Sequence, residues 1–121
     1  MNWTQIVERV VDDVVILDLR GQMTLAQDKG RLLSRIRELR NGGRTKILLN
    51  LVDLPYVDSQ GLGEIVSGCT TARRAGGILK LCGVPRRILD LLTATRLTGF
   101  LETFDSEQDA LRSFSARSSI T

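Results

Sequence analysis

The run Lys46-Ile47-Leu48-Leu49-Asn50-Leu51-Val52 constrains this chain more than any other stretch. A strand with one wetted face alternates apolar and polar residues, whereas this one is apolar at nearly every position, as a strand is when both faces are covered. It belongs in the middle of a sheet. The chain then passes through Pro55 to a polar hexapeptide, Asp58-Ser59-Gln60-Gly61-Leu62-Gly63. After that Leu62, Ile65, Val66, Cys69 and Ala72 recur at helical spacing until Gly76-Gly77. The pattern predicts strand, turn, amphipathic helix and helix stop.

The rest of the chain supplies neighbours for that unit. Residues 5–11 and 14–20 are β-branched runs separated by Asp12-Asp13, which predicts a hairpin. Thr24-Leu25-Ala26-Gln27 has the form of a capping box, and Leu32, Leu33, Ile36 and Leu39 continue at helical spacing, so a helix is expected over about 24–40 with Asn41-Gly42-Gly43 as its stop. Residues 78–82 read as a strand. Pro85 stands at the favoured first position of a helix that carries Ile88, Leu89, Leu91 and Leu92 and fades near 93–95. Leu97-Thr98-Gly99-Phe100 predicts a turn into a strand over 101–104, and Asp105 or Ser106 caps a last helix with Ala110, Leu111 and Phe114 inward. The order is ββαβαβαβα. An antiparallel start followed by strand–helix alternation implies right-handed crossovers and an α/β fold with a mixed, mostly parallel sheet. One domain is expected over 1–114, with residues 115–121 as a disordered C-terminal tail.

Composition narrows the function. At 121 residues, 42% apolar and 26% charged, the chain is long enough for one well-buried core. The start of the sequence has no basic segment followed by an apolar one, and no apolar run is long enough to span a bilayer, so a cytoplasmic protein without a membrane partner is expected. The sequence contains no histidine. That removes Ser/His/Asp and Cys/His nucleophilic schemes and most transition-metal sites, so no enzyme activity, metal or other cofactor is expected. Cys69 and Cys82 lack a CxxC spacing and read as buried free thiols. A net charge of +3 and 4% aromatic residues give little support to nucleic-acid binding, and the clustered arginines read as solvated helix faces.

Within the hexapeptide, Ser59 falls at or beside a helix N-terminus, where unpaired N–H groups and the helix dipole favour anionic oxygen. No neighbouring base can deprotonate it. It is therefore a poor nucleophile but a suitable phosphate acceptor for another protein's kinase, and Gly61 and Gly63 would let that protein's backbone approach. Taken alone, the hexapeptide reads more readily as helix punctuation than as a functional site, since Asp and Ser are common N-caps and Gly is common in tight turns. Gly61-Leu62-Gly63 lacks the third glycine of a dinucleotide fingerprint, and Asp90 is not placed as a ribose ligand.

The run LLNLVDLPYVDSQGLGEIV closely resembles the phosphorylation-site segment of the STAS domain family of bacterial anti-sigma factor antagonists. The resemblance continues through ARRAGGILKLCGV and LLTATRLTGFLETFDSEQDAL, covering essentially the whole chain. It implies a sheet with helices packed mainly on one face. It also implies that Ser59 is phosphorylated by an anti-sigma factor that is itself a serine kinase, with Asp58 as the adjacent acidic residue of the motif. The unphosphorylated protein would sequester that kinase and free a sigma factor, and a serine phosphatase would restore it after phosphorylation. By the same resemblance the contact surface comprises Gly21, Gln22, Met23 and Thr24 together with Asp58, Ser59, Gln60, Gly61, Leu62 and Gly63. The sequence departs from the family pattern at Thr24, where an acidic residue is common, at Asn50, where Asp is common, and at Gln60, where a small hydroxyl residue is common. Thr24 and Thr95 are further hydroxyls open to modification or to capping. A STAS subunit of a signalling scaffold or transporter-associated complex is the alternative reading, a nucleotide-binding protein ranks behind both, and a homodimer is left open.

Overall fold

The structure, a computed structural model, describes residues 5–23, 30–96 and 101–119. Strands β1 (Gln5–Val11) and β2 (Val14–Met23) form the opening hairpin. Its turn places Asp12 at φ 55°, a left-handed conformation that Asp tolerates better than most residues. There follow α1 (Arg31–Asn41), β3 (Lys46–Val57), α2 (Ser59–Arg74), β4 (Ile78–Cys82), α3 (Arg86–Ala94), β5 (Thr103–Phe104) and α4 (Glu107–Ser119). The strands lie in chain order across the sheet, with β1 antiparallel to β2 and the rest parallel. Element order and sheet type are those expected from the sequence.

Alternation along the central strands separates two cores. Val15, Leu17 and Leu19 of β2 and Ile47, Leu49 and Leu51 of β3 point to one face, where α1, α2 and α3 bury Ile36, Ile65 and Leu92 against them. Val14, Ile16 and Leu48 point to the other face and meet Ala110 and Phe114 of α4. Both sets are at most 2% exposed, which accounts for the nearly all-apolar β3. Helices α1 and α2 approach closely because position 68 is glycine: a Cβ there would lie 2.5 Å from Ile36 Cδ1.

Five boundaries differ from the sequence reading. The helix expected over 24–40 is described only from Arg31, and Gly30 just before it has φ 78°, which is incompatible with a continuous helix; the Thr24–Gln27 capping box lies outside the described residues. Strand β3 runs beyond Val52 to Val57 through Pro55. Its register with β4 ends at Asn50, so among the described residues the extension pairs only with β2, and Pro55 is tolerated beyond the β4 ladder. Pro85 is the N-cap of α3 rather than its first helical residue. The turn expected over 97–100 lies outside the described residues, β5 is restricted to Thr103–Phe104, and α4 extends to Ser119, into the stretch expected as a tail. Ser106 takes the capping role at α4, accepting a 3.1 Å hydrogen bond from the Asp109 amide. Among the described residues no helix is long and apolar enough to cross a membrane.

Candidate functional site

The hexapeptide forms the first turn and a half of α2. Asp58, in extended conformation at φ −87° and ψ 176°, is the N-cap, and its Oδ1 accepts a 2.7 Å hydrogen bond from the Gly61 amide. The backbone carbonyl of Asp58 accepts the first helical bond, from Leu62 N–H at 2.9 Å. Capping therefore falls to Asp58, and Ser59 is left as the first helical residue, exposed, at the positive end of the helix dipole. With Asp58 occupied by the cap and no histidine in the chain, no base is placed among the described residues to activate the Ser59 hydroxyl.

The residues expected to act together are brought to the same end of the sheet. Met23 pairs with Val57 and Gln22 with Tyr56, which sets the end of β2 beside the residues leading into Asp58. Gly21 has φ 97°, within a stretch of β2 where the register to β3 shifts. Thr24 lies outside the described residues. The members of the hexapeptide divide by exposure: Ser59, Gln60 and Gly63 face outward, while Gly61 is buried and Leu62 is a core side chain at 5% exposure. A Cβ at Gly63 would meet nothing within 4 Å, so its absence leaves a flat, open surface.

Glu64 is the residue that sequence reasoning missed. It occupies an ordinary polar position of α2, yet its carboxylate crosses to the start of α1. Oε1 accepts hydrogen bonds from the amides of Leu32 at 2.8 Å and Leu33 at 3.3 Å, and Oε2 accepts one from Gly30 at 3.2 Å. Helix α1 has no side-chain cap and no acidic residue in its first turn, so Glu64 supplies both from another helix. Alongside lies an open groove of about 430 Å³ lined by Gly30, Leu33, Gln60, Gly63, Glu64 and Ser67. The partners are more than thirty residues apart in the chain, and the local clue is that Gly30 has no side chain with which to cap α1.

A second polar cluster lies on the α4 face of the sheet. Asp18, 7% exposed in a strand of buried apolar residues, accepts from Arg9 Nε at 2.6 Å and Nη2 at 2.9 Å and from Asn50 Nδ2 at 2.9 Å. Arg9 extends the network to Glu107 at 2.6 Å, fastening β1 to α4. The Arg9 bonds hold the Asp18 carboxyl below its usual range against the opposing effect of burial, assisted by Asn50. An aspartate at position 50 would face Asp18 with a like charge, whereas the asparagine donates, which accounts for this departure from the family pattern. Burial, reinforced by Glu107 and Asp18, pushes the Cys82 thiol up to about 11, and burial also raises Cys69; both stay protonated at neutral pH.

Comparison with known proteins agrees with this architecture. The family model described as the STAS domain matches residues 5–110. The chain belongs to the STAS domain family. A candidate anti-sigma factor antagonist of Thermotoga neapolitana is 30% identical over 111 residues, which cover 90% of this chain and 96% of that one. The NMR structure of the Thermotoga maritima protein TM1081, also named as a candidate anti-sigma factor antagonist, matches with a TM-score of 0.78 at 27% identity over 87% of this chain and 84% of that one. The Bacillus cell fate determinant SpoIIAA, solved in its phosphorylated form, shares the fold with a TM-score of 0.70 at 18% identity, over 93% of this chain and 99% of that one.

Proposed function

We propose that this STAS domain is an anti-sigma factor antagonist, a non-enzymatic binding module whose affinity for an anti-sigma factor is controlled by phosphorylation of Ser59. One observation carries the reading: Ser59 is exposed at the first position of α2 while its neighbour Asp58 does the capping, so the hydroxyl is free of structural duty and lacks a base. Candidate anti-sigma factor antagonists among its relatives supply the partner class. In the unphosphorylated state the domain sequesters an anti-sigma factor serine kinase through the end of β2 and the start of α2. A phosphoserine adds roughly −1.5 to −2 charges, which the helix N-terminus accepts but an acidic or apolar partner surface does not, so the complex opens while the domain stays folded. A serine phosphatase resets it. Incubation with the anti-sigma factor kinase from the same cell and ATP, followed by mass spectrometry, is expected to place the phosphate on Ser59. The Ser59→Asp variant is expected to bind that kinase at least about tenfold more weakly than the parent. Phosphate on another residue, or unchanged binding by Ser59→Asp, would overturn the switch.

A further inference from the structure

Among the described residues, helix α1 begins without a side-chain cap from its own sequence. Gly30 has no side chain, the first turn carries no acid, and the amides of Gly30, Leu32 and Leu33 are satisfied by Glu64 of α2. That single carboxylate fastens the start of α1 to the helix that begins with Ser59. Of the two, α2 holds its own terminus through Asp58, so the contact is needed in one direction only. Glu64 follows Ser59 by five residues, about 7.5 Å along the axis and about 140° around it, so an added charge acts on it at a distance on the order of the screening length rather than by contact.

Resting on Ser59 as the modified residue, we propose that Glu64 is a positioning residue that couples Ser59 to the start of α1, so that negative charge added at Ser59 loosens the turn at Gly30. A phosphate on the first residue of α2 repels the Glu64 carboxylate, and among the described residues α1 has no cap of its own to replace the bonds that Glu64 gives up. The groove lined by Gly30, Leu33, Gln60, Gly63, Glu64 and Ser67 changes shape as a result, because α1 and α2 each contribute one of its walls. A partner seated across both helices then senses the modification at the whole groove and not at one hydroxyl.

Amide hydrogen exchange read by NMR on the full chain tests this without any kinase, by using Ser59→Glu as the added charge. Exchange of the Gly30, Leu32 and Leu33 amides is expected to speed up about fivefold in Ser59→Glu relative to the parent, near the low end of measured site-to-site couplings. In the Glu64→Gln background, which keeps an acceptor oxygen but no charge, Ser59→Glu is expected to leave these amides unchanged. The Leu17 and Leu49 amides of the central strands report in each variant whether the fold is intact. Unaltered Gly30, Leu32 and Leu33 exchange in Ser59→Glu, or an equal response with and without the Glu64 charge, overturns the coupling. A kinase that ignores Ser59 would defeat the proposed function and leave this result standing.

Discussion

On one face of the sheet Leu49 is surrounded by the apolar sides of three helices; on the other a single helix, α4, is held over Leu48 and Ile16 with the help of an ion network running from Asp18 through Arg9 to Glu107. The first face has nonpolar surface removed from water as its main source of stability, a contribution of about 25 cal/mol per Å² that responds little to pH. The second adds charged hydrogen bonds in a half-buried setting, which vary with protonation and salt. The site with Ser59 is built on the first face, so the helix that would receive a phosphate is anchored mainly by apolar packing, with the Glu64 carboxylate as its charged contact to the start of α1.

Removing apolar volume from the three-helix face should have the greatest effect. Leu49→Ala opens a cavity in the fully buried centre of β3 and is expected to cost about 3–5 kcal/mol of stability in urea titration. A loss below about 1 kcal/mol would mean that this face is loosely packed.

The α4 face should instead reveal itself by pH. Because Arg9 and Asn50 hold the Asp18 carboxyl below its usual value, the folded state binds that proton less readily than the unfolded chain. Its contribution is therefore complete above the unfolded value of about 4 and disappears as pH falls through the lower, folded value. Urea midpoints at pH 7 and pH 3 are expected to differ more in the parent than in Asp18→Asn, by the equivalent of about 1 kcal/mol, a figure kept small because Arg9 is more than a third exposed. Equal pH dependence in the two proteins would remove the network from the account of this face.

A smaller effect is expected at Lys80, which is 1% exposed beneath α4, bonded to the Ser113 hydroxyl, 3.7 Å from Glu102 and stacked 4.7 Å from the Phe114 ring centre. Its stem packs as a methionine would, and a buried charge replaced by an apolar group of similar volume often changes stability little. Lys80→Met is expected to stay within about 1 kcal/mol of the parent in the same titration. A larger loss would make the cation a principal anchor of α4.

Periodicity in the sequence was sufficient for the order of elements, for the buried character of β3 and for the placement of Ser59 at a helix start, because each depends on residues close together in the chain. It misjudged α1, whose apolar spacing continues upstream past Gly30; the left-handed turn at that glycine is set by tertiary contact, with Glu64 as cap. The same limitation concealed the Asp18 network. An aspartate in Val14-Val15-Ile16-Leu17-Asp18-Leu19 demands a partner, but Arg9, Asn50 and Glu107 become its neighbours only through the sheet and α4. Reading Leu62 as a contact residue came from its place in a motif, whereas the helical phase puts its side chain in the core.

One consequence of the β3 extension concerns solubility. Among the described residues, the strand from Leu51 to Val57 has β2 on one side and no ladder partner on the other, directly upstream of Ser59. A strand edge without a ladder partner invites a foreign strand to dock and propagate. Pro55 has no N–H to offer a docking strand and Asp53 adds an exposed charge, two devices that oppose growth of the sheet into a fibre.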